Sequence, residues 1–121
     1  MKALSIRQPW ASMITSGKKT IETRLWKTDY RGNLLIVAGR QWAEGFLSDL
    51  SLPIGQGIAV VRLTDCSPMT EADEKAACCK VYDGAFAWVF EDVRLIQPFP
   101  VKGQLGLFEV SAHPHICYPA D

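Results

Sequence analysis

The chain has 121 residues, enough for one domain with a hydrophobic core. Apolar residues make up 48% and charged residues 21%, which excludes a disordered chain. Thirteen basic and thirteen acidic residues cancel, which excludes capture of duplex nucleic acid by bulk charge. A nucleic-acid ligand would have to be held by a local basic patch and by shape, or one nucleotide at a time. No run approaches the length of a membrane span, and the N-terminus carries no signal-peptide pattern, so a cytoplasmic location is expected. Of the four cysteines (Cys66, Cys78, Cys79 and Cys117), two are adjacent. That is a poor start for a disulfide framework, and free thiols are expected.

In chain order, Ala3-Leu4-Ser5-Ile6 reads as a short first strand. Pro9 then sits where the first turn of a helix accepts it. Trp10, Met13 and Ile14 follow at helical spacing, and Gly17 suits the left-handed residue that ends a helix. Thr20 to Trp26 has strand character, with Thr20, Glu22, Arg24 and Trp26 on one face and Ile21 and Thr23 on the other. Tyr30-Arg31-Gly32-Asn33 reads as a turn, and Leu34 to Ala38 as a buried strand. Trp42, Phe46, Leu47 and Leu50 suit a second, amphipathic helix. Pro53 to Gly57 is a turn into a strand from Ile58 to Leu63. Thr70 and Asp73 form a capping-box pattern for a short helix through Cys79. Ala85 to Ile96 reads as a long strand, and Pro98-Phe99-Pro100 as an extended break. Leu105 to Ser111 closes the series as a last strand.

Strands without regular alternation with helices favour an α+β, mainly β fold. The expected architecture is a small barrel of mostly antiparallel strands, with a helix after strand 1 and one or two helical insertions. One domain is expected over residues 1–112, with a C-terminal tail at 113–121. In that tail His113, His115 and Cys117 alternate, but the spacing lacks the pairs typical of zinc sites. No metal and no cofactor are expected.

The segment Gly17-Lys18-Lys19-Thr20-Ile21-Glu22-Thr23-Arg24 carries the chemistry. It places a lysine, a carboxylate and an arginine at a helix-to-strand corner, with Trp10 before it and Trp26 after it. Charges framed by two tryptophans tend to line a pocket rather than a wet surface. An ammonium at Lys19 would hold phosphate or an oxyanion as a point charge. A desolvated neutral amine would instead act as base or nucleophile, but the negative charge of Glu22 opposes that form. Glu22 would accept hydrogen bonds from an amino group or a hydroxyl, or activate water as a general base. Arg24 shares the face of Glu22 and either contacts the ligand or pairs with Glu22 to pin the strand. Arg7, Lys18, Lys27, Arg31 and Lys102 would join Lys19 in a basic rim, against the alternative of a dispersed solvated surface. Trp10, Trp26, Tyr30 and Trp88 are candidate stacking platforms, each worth about 1–3 kcal/mol per base. Of these, Trp88 is expected to be buried. Gln8 either caps the helix or reads a base edge.

The residues Ala3-Leu4-Ser5-Ile6-Arg7-Gln8-Pro9-Trp10-Ala11, Gly17-x-Lys19-x-x-Glu22-x-Arg24, Trp26 and Tyr30-Arg31-Gly32 resemble the ASCH (activating-signal-cointegrator homology) domain. Ala87-Trp88-Val89 and Pro98 to Gly103 extend the resemblance, which spans roughly residues 3–110. It implies a PUA-like barrel with a helix beside a cleft, and RNA or a modified nucleoside as partner, with protein partners unspecified. The ligand-contacting set it implies is Arg7, Gln8, Trp10, Lys19, Glu22, Arg24, Trp26, Tyr30, Arg31 and Lys102. It also implies an alternative at the same cleft: a hydrolase using Lys19 and Glu22. That hydrolase would be either a metal-independent ribonuclease or an amidohydrolase of N4-acetylcytidine-type nucleosides. Such amidohydrolases share Gly17 and Lys19 but carry threonine where this chain has Glu22.

Overall fold

In a computed structural model that describes residues 1–111 and 114–116, six strands form one mixed sheet. The strands are β1 (Lys2–Gln8), β2 (Ile21–Arg24), β3 (Gly32–Trp42), β4 (Gln56–Pro68), β5 (Phe86–Pro100) and β6 (Leu107–Glu109). Their spatial order is β2-β5-β4-β3-β1-β6. Only β1 and β3 run parallel, and every other pairing is antiparallel. A six-residue helix, α1 (Trp10–Thr15), follows β1, and a one-turn helix, α2 (Glu74–Ala77), follows β4. Among the described residues, no helix is long and apolar enough to cross a membrane.

The sheet is mostly strand and few helices, as the sequence predicts, but it does not close into a barrel. Its end strands, β2 and β6, have four and three residues and do not pair with each other. Short edges offer little template for pairing with another chain.

The near-continuous apolar run of β3 is buried on both faces. Leu34, Ile36 and Ala38 enter one core with Leu4, Ile6, α1 and Trp88. Leu35 and Val37 enter a second core with Ala3, Val60, Ile96 and Phe108. The alternation follows from the two-residue period of a strand. Trp88 is fully buried, stands edge-on to Trp26 at 4.7 Å, and donates its indole N–H to the Trp26 carbonyl at 3.2 Å.

Two sequence expectations change. Residues 43–55 form no helix. Gly45 there adopts φ +88°, Leu47 and Leu50 are 92% and 101% exposed, and Trp42 continues β3 opposite Gln8. The apolar spacing in that stretch is thus a loop's, not a helix's. Next, the strand runs through Pro98-Phe99-Pro100 instead of breaking. Register shifts between Gly57 and Ala59, opposite Leu95 to Phe99, so Pro98 falls in an irregularity where no ladder N–H is needed. Within the segment expected as a tail, the described residues 114–116 contact the sheet. His115 accepts the Gln97 N–H at 2.9 Å, Ile116 bridges Ile96, and Ile116 packs on the second core. His113 and Cys117, two of the alternating tail residues, lie outside the described residues.

Gln8 is fully buried at the β1–α1 junction and caps the helix. Its amide donates to Ser12 Oγ and to the Pro53 carbonyl, each at 2.8 Å, and its Oε1 accepts the Ser12 N–H at 3.0 Å. Gln8→Ala strands those half-buried partners, so an unfolding free energy lower by about 1–3 kcal/mol is expected in urea denaturation.

Candidate functional site

Lys19 and Glu22 are the only buried charged side chains among the described residues, at 2% and 6% exposure. Gly17 ends α1 at φ +83°, and the Lys19 N–H then returns to the Met13 carbonyl at 3.0 Å. This short turn points Lys19 inward beneath α1. Its Nζ lies 4.9 Å from the centre of the Trp10 ring, within cation–π reach. The same amine donates to the Ala77 carbonyl at 2.5 Å and stands 3.6 Å from Glu22 Oε1.

Glu22 lies on β2, where pairing with Trp88 of β5 fixes its direction. Its Oε1 also accepts the Thr23 N–H at 3.1 Å, and its Oε2 accepts Arg24 Nη2 at 3.1 Å. Arg24 in turn donates to the Ser5 carbonyl of β1 at 2.8 Å. One carboxylate therefore joins two cations, and the chain of contacts runs from α2 across β2 to β1. No buried side-chain nitrogen or oxygen among the described residues lacks a partner.

These groups open onto a cavity of about 1350 Å³. Arg7, Trp10, Lys19, Glu22, Arg24, Trp26 and Lys102, all singled out from the sequence, line it. Thr23, Cys79 and Tyr82 line it beside them, and Tyr82 donates its hydroxyl to Thr23 Oγ1 at 2.9 Å. Cys66, Cys78 and Cys79 are free thiols.

Three residues of the expected set lie elsewhere. Gln8 is consumed by the helix cap described above. Tyr30 packs on the first core and donates its hydroxyl to the Asn33 carbonyl at 2.5 Å. Arg31 donates to the carbonyls of Thr28 and Tyr30 at 2.9 and 2.8 Å and faces Asp65 at 3.9 Å. Tyr30 and Arg31 thus clip the β2–β3 connection. Lys18 and Lys27 are exposed and do not line the cavity either.

Sequence reasoning missed Ser5, Gly39, Arg40, Gln41, Gly55 and the run from Gln104 to Gly106, which line the far side. Their only sequence signal is strand parity in β1, where Ser5 and Arg7 share a face. Arg40 and Gly55 belong to segments that meet only in the folded sheet. Among the described residues no cluster of histidine, cysteine and acidic side chains is arranged to hold a metal.

The sequence profile of the ASCH domain matches residues 4–100. The chain belongs to the ASCH domain family. It is 27% identical to activating signal cointegrator 1 of Mus musculus and 26% identical to that of Homo sapiens, over 93% of its own length. The matched region is only 22% of each of those proteins, so the chain spans about a fifth of their length. The crystal structure of ASCH from Zymomonas mobilis superimposes with a TM-score of 0.68 at 18% identity, covering 90% of this chain and 86% of that one. A tyrosine-to-phenylalanine variant of the Zymomonas protein gives 0.64 at 17% identity, with 90% and 88% covered. The ASCH chain described here thus has a PUA-like fold, with the signature segment at the cavity wall.

The shared carboxylate makes the two ends of the pair unequal. Without Lys19, Glu22 keeps Arg24 and the Thr23 amide. Without Glu22, Lys19 keeps only a carbonyl and a ring face. Breaking a buried pair by removing one partner costs about 3–5 kcal/mol when the other is left uncompensated. Glu22→Ala is therefore expected to lose about 3 kcal/mol, clearly more than Lys19→Ala, in matched chemical denaturation. A Lys19→Met/Glu22→Leu double variant is expected to recover most of that loss.

Proposed function

We propose that this ASCH domain binds RNA or a modified nucleoside, with a nucleobase held in the cavity that Trp10, Trp26, Lys19 and Glu22 line together. The observation that carries this reading is the burial of one amine and one carboxylate at the wall of a ligand-sized space. Such a pair is a poor device for stability, since apolar replacements of similar volume are often neutral or better. Beside a cavity it is a good device for recognition. The ammonium keeps donors for a base or oxyanion, and the carboxylate keeps lone pairs for an exocyclic amino group or a ribose hydroxyl. The half-buried indoles of Trp10 and Trp26 provide apolar surface for stacking. A cytoplasmic site of action agrees with the free thiols.

Hydrolysis at the same cleft is the second reading. It is favoured by the 3.6 Å separation of Lys19 Nζ and Glu22 Oε1, which sets a carboxylate able to take a proton next to an ammonium able to stabilise an oxyanion. On this reading the reaction is a metal-independent ribonuclease cleavage or the removal of an acyl group from an N4-acetylcytidine-type nucleoside.

Lys19→Ala is expected to weaken binding of RNA or cytidine at least tenfold in a titration, about 1.4 kcal/mol, while the circular dichroism spectrum is retained. Unchanged affinity would remove Lys19 from the site. Glu22→Gln is expected to spare binding and abolish any turnover. The class is decided by incubating the protein with total RNA and with N4-acetylcytidine, with and without a chelator, and reading the products by mass spectrometry. Cleavage or deacylation that needs Lys19 establishes the enzyme. Binding without product establishes the module.

A further inference from the structure

The cavity wall carries five cations, Arg7, Lys19, Arg24, Arg40 and Lys102, against one acid, Glu22. Lys19 and Arg24 are both engaged by that acid. Arg7, Arg40 and Lys102 form no ion pair among the described residues, and all three are exposed. Unpaired cations on the wall of one concavity, in a chain of zero net charge, are a local departure from the whole.

Their gathering is built by the backbone. The parallel register sets Ile6 beside Ala38 and Gln8 beside Trp42, which brings Arg7 alongside the segment that carries Arg40. The Gly55 N–H donates to the Ala38 carbonyl at 2.7 Å, and the Val101 N–H donates to the Gly55 carbonyl at 3.0 Å. Those two bonds stitch the segments carrying Arg40 and Lys102 into one corner. Gly55 adopts φ +66°, and a Cβ there would meet the Arg40 guanidinium at 3.1 Å. A Cβ at Gly103 would stand 2.8 Å from Ser5 Oγ, so the loop after Lys102 lies directly on β1. Ser5 also accepts Arg24 through its carbonyl, which links this corner to the Lys19–Glu22 pair.

We propose that Arg7, Arg40 and Lys102 form a phosphate-binding corner, and that the ligand is a single-stranded oligonucleotide rather than a free nucleoside. This proposal rests on the base-binding reading above for the other end of the cavity. A nucleoside has no anion for three unpaired cations to hold. The volume of about 1350 Å³ exceeds the roughly 300–1,000 Å³ of a small-molecule pocket, which leaves room for a base with its neighbouring phosphates. A duplex cannot place a base in a concavity without unpairing and unstacking it, at a cost of about a few kcal/mol. A single strand can, with backbone on the basic corner and base on the aromatic wall.

The test measures fluorescence anisotropy of a labelled ten-nucleotide oligocytidine RNA across a salt series, with cytidine and cytidine 5′-monophosphate as unlabelled competitors. Each neutralised phosphate of a single strand contributes about −0.7 to the slope of log affinity against log salt. The expected wild-type slope is near −2, and the oligonucleotide binds at least tenfold tighter than cytidine. The Arg7→Gln/Arg40→Gln/Lys102→Gln triple variant is expected to bring the slope near zero and cut the oligonucleotide-to-cytidine affinity ratio at least tenfold. Thermal melting of that variant checks its fold. An intermediate affinity for the monophosphate assigns one phosphate to the corner, and a monophosphate as tight as the oligonucleotide overturns the polymer. A slope that survives in the folded triple variant overturns the corner itself. Salt-dependent binding lost in the triple variant but untouched by Lys19→Ala upholds the corner and refutes the base-binding reading.

Discussion

The buried Lys19–Glu22 pair is the constraint around which this molecule is organised. Two opposite charges held 3.6 Å apart with almost no solvent exposure demand that every neighbour be placed. The carbonyl of Ala77, the amide of Thr23 and the guanidinium of Arg24 meet that demand. The backbone on either side is tied just as firmly. The Lys19 N–H reaches α1, the Thr20 N–H reaches the Ala76 carbonyl, and the Thr20 carbonyl accepts Phe90 of β5. One short segment thereby joins a helix, the α2 turn and the sheet. A charge pair in such a place returns little net stability, because desolvation offsets its Coulomb attraction. Its cost is consistent with a role in recognition.

The open sheet supplies the space that the pair faces. Edge strand β2 contributes Glu22 and Arg24, while residues 100–106, which lead to the opposite edge strand β6, contribute Lys102 and its neighbours. Both ends of the sheet therefore border one concavity. Had the two edges paired, their backbone ladder would occupy that seam. The short edges leave side chains there instead. One end of the concavity is aromatic and finely hydrogen-bonded, and the other is basic, with no ion pair among the described residues.

Legibility in the sequence followed locality. The helix from Trp10 and its glycine stop, the β2 strand, the Thr70–Asp73 capping box and the apolar β3 run could all be read because the deciding contacts lie within a few residues. The loop at 43–55 could not, because Phe46 takes its place by stacking edge-on against Trp10 at 5.1 Å, far away in sequence. Pro98 misled for a similar reason. Whether a proline interrupts a strand depends on the partner's register, which no single strand records. Among the site residues, Lys19, Glu22 and Arg24 belong to one short segment that leads into and forms β2. Gln8, Tyr30 and Arg31 neighbour that cluster in sequence, yet they are spent on the helix cap and on the β2–β3 connection.

The amino-acid sequence alone determined the class of fold, the family signature and the charged triplet that faces the cavity. These depend on short-range periodicity and on residue types at fixed spacing. Only the tertiary structure decided that the sheet stays open, that Gln8 turns inward, and that Arg7, Arg40 and Lys102 come to line one cavity. The reason is geometric. A strand's own pattern says which side chains share a face, whereas which strands become neighbours, and at what register, is settled by packing between residues far apart in the chain.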